Sequence, residues 1–274
     1  MASVWISILY SLFSHFFVPT QSQRITGFMG HYMTQAGLLL LFISLALGIL
    51  FFSRGKIRFL WGVTLFFATL ILIYTMTRSA WIGAAVAASV ILFLYKPKTL
   101  VLIPIILGLV FLVSPKSVKQ RALSIFSLTG YSNVQRIEYA KVGLKIMKAR
   151  PFFGTGPDTV DMEFQLPKYG LSEEAKNNVH LHNNMLQIGA ERGIPALLAW
   201  LTFLLVACID LIKLIKTKKP LVFPLAAGAL AALAGLFVAG FFEYNFGDSE
   251  ITILFLYVLT IPFVAERMSL RGKK

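Results

Sequence analysis

The feature that most constrains this chain is a series of long apolar blocks almost free of charge. Met33–Phe52 and Ala196–Ile209, for example, contain no Asp, Glu, Lys or Arg. A helix rises about 1.5 Å per residue, so roughly twenty apolar residues cross the hydrocarbon of a bilayer. The blocks predict membrane spans at Val4–Val18, Met33–Phe52, Phe59–Met76, Ala80–Tyr95, Leu100–Val113, Pro195–Ile215, Leu221–Phe242 and Ile251–Ala265. Only 14% of the 274 residues are charged and 57% are hydrophobic, whereas soluble domains carry about a quarter charged residues. The expected fold is all-α: one polytopic transmembrane bundle over residues 1–274, with about eight spans and a long helical loop at 114–192.

Lys and Arg in the short connections set the orientation. One set of ends carries Arg54, Lys56, Arg58, Lys96, Lys98, Lys213, Lys216, Lys218, Lys219, Arg267, Arg271, Lys273 and Lys274; the opposite short connections carry only Arg24 and Arg78. Both termini are therefore expected in the cytoplasm and the long loop outside. The net charge of +14 fits anionic membrane lipids and orientation signals better than nucleic acid. Met1-Ala2-Ser3-Val4 lacks the basic start of a cleavable signal, so Val4–Val18 reads as a retained segment. The single Cys208 excludes a disulfide framework.

Within the loop, Tyr131 to Arg150 reads as a helix. Ser132 with Gln135 suggests a capping box, and Pro151 stops the helix. Phe152-Phe153-Gly154-Thr155-Gly156-Pro157-Asp158 is a tight-turn sequence. It is not a phosphate loop, because no strand precedes it and no Lys-Ser/Thr follows. On a helical wheel Lys141, Lys145 and Lys148 share one face, which suits solvent or lipid headgroups. Arg136 falls on the face expected to be buried, where a guanidinium needs an anion or several acceptors. Glu138 and Asp158 are the structural partners within reach of that reading.

His180 and His182 precede a helix expected to start near Asn183 or Asn184, whose free N–H groups favour an approaching phosphate. A histidine supplies a base near neutral pH. Arg78 and, more weakly, Arg24 lie on the same outer side; arginines are chosen where phosphate oxygens are gripped in pairs. No Cys or carboxylate cluster stands beside the histidines in sequence, so no metal site is expected. Glu243, Asp248 and Glu250 before the last span could orient His182 but read primarily as helix caps.

These motifs resemble the O-antigen ligases and polymerases of bacterial envelopes. His182-Asn183, nine residues and then Gly193-Ile194-Pro195 matches that family's histidine element. Thr77-Arg78-Ser79-Ala80-Trp81, Arg24-Ile25-Thr26-Gly27-Phe28, and Arg136 followed by Arg150-Pro151-Phe152-Phe153-Gly154-Thr155-Gly156-Pro157 resemble its other elements. The resemblance implies an enzyme of the inner membrane that carries out inverting, metal-independent glycosyl transfer without a cofactor. The donor would be a glycan on polyprenyl pyrophosphate, held by Arg78 and Arg136. His182 would be the base on a hydroxyl of a lipid-core or glycan acceptor, with Arg24, His180, Asn183 and Arg150 accessory. The alternatives are a polysaccharide polymerase, since Ala140 stands where ligases often have Leu, or a non-catalytic transporter-like protein. Family members commonly have more spans than eight, so the resemblance implies either a short member or a chain that lacks several N-terminal helices.

Overall fold

A computed structural model describes residues 2–18, 24–127 and 129–271; Lys273 and Lys274, used above for orientation, lie outside them. All regular elements among the described residues are helical. The α-helices are α1 (Ala2–Phe17), α2 (Tyr32–Phe52), α3 (Ile57–Tyr74), α4 (Arg78–Tyr95), α5 (Leu102–Val113), α6 (Lys116–Leu123), α7 (Tyr131–Ala149), α8 (Val160–Phe164), α9 (Glu173–Lys176), α10 (Asn184–Lys216), α11 (Val222–Ala239) and α12 (Ser249–Arg271). Every apolar block becomes a helix. Six of them, α2, α3, α4, α10, α11 and α12, are long and apolar enough to cross a membrane; α1 and the Pro97–Val113 stretch containing α5 are shorter. The chain is a polytopic helical bundle.

Helix α11 lies at its centre because its sequence is small. Ala226, Ala227, Ala229, Ala231 and Ala232 are buried, and its glycines let neighbouring backbones come close. A Cβ on Gly83 of α4 would sit 2.7 Å from the Gly235 carbonyl, and one on Gly228 would sit 2.9 Å from Leu45 Cα of α2. Lipid tails are as apolar as leucine, so contact between helices rests on such close van der Waals packing. Leu40, Leu211 and Phe255 from α2, α10 and α12 fill the core around α11.

The loop between α5 and α10 folds into a cap with its own core. Tyr139, Val142 and Ile146 of α7 meet Val160 and Phe164 of α8, Ala175 of α9 and Leu181. Tyr139 and Phe164 are fully buried and stacked at 5.3 Å. Burial of such a ring contributes about 2–3 kcal/mol. Helix α7 begins without the predicted capping box. Gly130 is its N-cap and no side chain caps it, because Ser132 Oγ instead accepts from Arg78 and Gln135 donates to the Tyr131 hydroxyl.

Candidate active site

The site forms where the cap feeds into α10. Asn183 is the N-cap: its Oδ1 accepts from Leu186 N–H at 3.0 Å, and its Nδ2 donates to the Phe241 carbonyl at 3.0 Å. Asn184 N–H donates to the Gly240 carbonyl at 2.8 Å. The start of α10 is thereby fastened to the connection between α11 and α12. His182 adopts a left-handed backbone, φ 50°, a region histidine tolerates better than most residues. Leu181 is buried beneath it, and its N–H donates to Gln187 Oε1.

Glu243 enters from the α11–α12 connection, 61 residues away in sequence. His182 Nδ1 lies 3.0 Å from its Oε1 and 3.2 Å from its Oε2. A carboxylate only accepts, so Nδ1 carries a hydrogen; in the neutral ring Nε2 then holds the lone pair, and the acceptor Asn178 Oδ1 can bond to Nε2 only once that nitrogen is protonated. Asn178 Oδ1 stands 3.3 Å from Nε2; the Asn178 amide donates to Tyr139 Oη, which donates to the Ala175 carbonyl. His180 Nε2 lies 3.8 Å from Glu243 Oε1, and the Arg136 guanidinium 4.0 Å from Oε2. Arg136 Nε also donates to the Phe242 carbonyl at 3.1 Å. The partner of Arg136 is therefore Glu243, not Glu138 or Asp158.

Glu243 is buried, which on its own would raise its pKa. The hydrogen bond from His182, together with the electrostatic influence of the histidines when protonated and of the Arg136 charge, outweighs burial, and the carboxyl is held below its ordinary range. Burial pushes His180 down to about 4 despite the Glu243 charge, so its ring is neutral near neutral pH. Burial also lowers Arg136, with Glu243 opposing it. This corrects the reading of Glu243 as a helix cap. Asp248 and Glu250 do lie at the start of α12: the Asp248 carbonyl accepts from Thr252 N–H, and Glu250 is in the first turn. Asp248 also accepts from the Thr34 hydroxyl at 2.8 Å.

Contrary to the expectation from sequence, the fold brings a carboxylate, Glu243, beside the histidines. His180, His182 and Glu243 bring their ligand atoms within 4.8 Å of one another. That donor set could hold an ion such as zinc. The neighbouring Arg136 guanidinium disfavours a second cation on Glu243.

Arg78 is buried at the start of α4 and is used as a staple. Its guanidinium donates to Ser124 O at 2.6 Å, Ser132 Oγ at 2.8 Å and Asn133 Oδ1 at 2.8 Å, tying α6 and α7 to the bundle. These acceptors are neutral, so its charge is not cancelled there. Arg121, which the sequence reading passed over, donates to the Met76 carbonyl at 3.1 Å. Burial, and then the charges of Arg24, Arg78 and Arg136, push it down to about 10. Four guanidinium groups thus share one field at this end of the bundle. Arg24 stacks over the Tyr32 ring at 4.3 Å. Arg150 stands apart: it pairs with Glu163 at 3.0 Å inside the cap.

The turn after Arg150 latches onto a break in α10. Gly193 has φ 82° inside the helix, and Pro195 supplies no N–H. The carbonyls of Ala190 and Glu191 thereby lose helical donors, and Thr155 N–H and Gly156 N–H replace them, each at 2.9 Å. Ile194 N–H in turn donates to the Pro151 carbonyl at 2.7 Å. A side chain on Gly193 would collide with the Phe152 carbonyl, and one on Gly154 with the Glu191 backbone. Two sequence elements some forty residues apart thus form one structural unit.

A histidine–carboxylate–guanidinium cluster thus lies at one end of a multi-pass helical bundle. The profile of the O-antigen ligase family matches residues 63–201, about half of the chain, and the chain belongs to that family. The match covers Arg78, Arg136, His180 and His182, whereas Glu243 lies beyond it. No curated protein matches the chain.

Proposed function

We propose that the protein is an inverting glycosyltransferase of the bacterial inner membrane, moving a glycan from polyprenyl pyrophosphate to an acceptor hydroxyl. The observation that carries this reading is the fixed His182: Glu243 holds Nδ1–H, which leaves Nε2 to act as base among converging arginines. Nε2 takes the proton of the acceptor hydroxyl, and the oxygen attacks the anomeric carbon opposite the leaving group. The bond from that carbon to the pyrophosphate oxygen breaks, and the pyrophosphate leaves with the electron pair. Arg136 and Arg78 offset its growing charge, which is where preorganised donors act most strongly. Glu243 stabilises the resulting imidazolium on Nδ1, and Asn178 Oδ1 accepts from the newly formed Nε2–H.

No metal is needed in this scheme, because the pyrophosphate meets guanidinium groups and the base is an imidazole. The basic residues of the short connections support a site facing outward, with both termini in the cytoplasm. A glycan built on a lipid carrier and attached to a lipid core fits a ligase; joining of repeat units would be a polymerase.

The test is a profile of lipid-linked glycans in cells with the intact protein, without it, and with His182→Ala. Loss of core-attached polymer with long lipid-linked chains accumulating indicates ligation, and accumulation of single repeat units indicates polymerisation. His182→Ala should reproduce the deletion while inserting normally. Normal attachment of glycan in that variant would refute the base assignment.

A further inference from the structure

We infer that the outer face of the cap is a lipid-docking surface, with Phe152 and Phe153 inserted into the bilayer interface and the lysines of α7 resting on anionic phospholipid headgroups. Phe152 and Phe153 are 70% and 88% exposed, although the turn that carries them is tightly held. Pro151 accepts from Ile194 N–H, and Gly193 makes room for the Phe152 carbonyl. The phenyl pair is thus pinned beside Pro195, where the uncharged part of α10 begins. Exposed Ile194 and Leu198 continue the apolar surface from there into the lipid-facing side of that helix. Two phenyl rings held at the start of a membrane span can enter the headgroup–acyl boundary as the apolar face of an interfacial segment does.

Helix α7, which leads into this turn, carries an exposed stripe of its own. Val134, Ile137 and Leu144 are 41%, 48% and 59% exposed, and Lys141, Lys145 and Lys148 are exposed with them. At about 100° per residue all six fall within an arc of about 100°. The opposite face is buried in the cap through Tyr139, Val142 and Ile146. Lysines mixed with aliphatic residues along one stripe let the stems lie on apolar surface while the ammonium groups reach phosphate. An anionic headgroup layer is the occupant whose charge complements this stripe and whose apolar boundary accepts the phenyl pair. Docked in this way, the cap would hold His182 at a fixed height above the membrane, whichever glycan it transfers.

The test uses the full chain with Cys208→Ala, in nanodiscs of phosphatidylcholine with or without phosphatidylglycerol. A nitroxide is placed at Phe153→Cys or, for comparison, at the exposed Glu174→Cys of α9. The label at 153 is expected to be relaxed more by oxygen than by a water-soluble nickel chelate, and the label at 174 the reverse. Phosphatidylglycerol should further immobilise the label at 153, and the combined Lys141→Gln, Lys145→Gln and Lys148→Gln change should abolish that response. A label at 153 relaxed mainly by the nickel chelate would overturn the insertion. Insertion indifferent to phosphatidylglycerol would overturn the anionic-lipid assignment. Spin–spin broadening between labels at 153 would show a second copy of the chain on this face instead.

Discussion

The trio of α2, α4 and α11 and the cap over its end are held together by opposite means. In the trio, backbones approach through Gly48, Gly83, Gly228 and Gly235, and polar groups are satisfied locally, as where Ser44 donates to the Leu40 carbonyl. In the cap, side chains reach to carbonyls and carboxylates outside their own segment: Arg78 to Ser124, Arg150 to Glu163, His182 to Glu243. The trio is a rigid platform that tolerates little change in volume. The cap depends on polar partners, and in the proposed reaction some of the same residues would supply the chemistry. Charged residues in such a cap therefore divide into staples and reactive groups only once their partners are known.

The harshest way to break this comparison is to enlarge a glycine of the trio. Gly235→Leu should abolish accumulation of folded protein, because overpacking costs about 1–3 kcal/mol even where neighbours can yield, and here the obstacle is the Gly83 carbonyl. Gly108→Leu on α5 meets nothing within 4 Å and should be tolerated. Equal membrane-extracted yields of the two variants would show that close backbone approach does not hold the trio.

Arginine substitutions sharpen the cap side. Arg136→Lys should lower transfer by roughly tenfold to a hundredfold through loss of a paired grip on phosphate, with hydrogen exchange in the cap unchanged. Arg78→Lys should lower transfer and also speed exchange in α6 and the first turns of α7, because an ammonium cannot span Ser124, Ser132 and Asn133 together. Unchanged exchange in Arg78→Lys would remove its role as a staple.

The smallest expected effect is a pH slope. The folded chain protonates His180 only near pH 4, whereas the unfolded segment does so near its ordinary 6.5. Between these values the unfolded state binds more protons, so cap stability falls as pH drops through the window and is fully present above it. Glu243, held below its ordinary 4.5, adds loss of the same sign at lower pH. Hydrogen exchange of the cap between pH 4 and 6.5 should show this slope, and His180→Gln should flatten it.

Much of the bundle was legible in the sequence because its signals are local. Uncharged apolar runs mark the helices, Pro151 ends α7, and α10 starts at Asn184, within the expected Asn183–Asn184 start. His180, His182 and Arg136 do come together. What local signals could not show was the partner of each polar group. Glu243 looked like a cap because it precedes a helix; its flanking Phe241, Phe242 and Tyr244 were the available hint that it is buried. Arg150 shares an element with the turn yet pairs inside the cap with Glu163, 3.0 Å away. Asn178 and Arg121 sit in ordinary polar sequence; folding within the cap gives Asn178 its partners, and the closing of the cap onto the bundle gives Arg121 the Met76 carbonyl.

The central claim is that a buried carboxylate makes His182 the base. Glu243→Gln keeps the shape of the side chain but removes its charge, so it tests that claim most directly. In single-turnover transfer by reconstituted protein, with donor binding measured alongside, the rate should fall by about a hundredfold or more while binding stays near that of the wild type. A Glu243→Gln variant that transfers glycan at the wild-type rate would contradict the account.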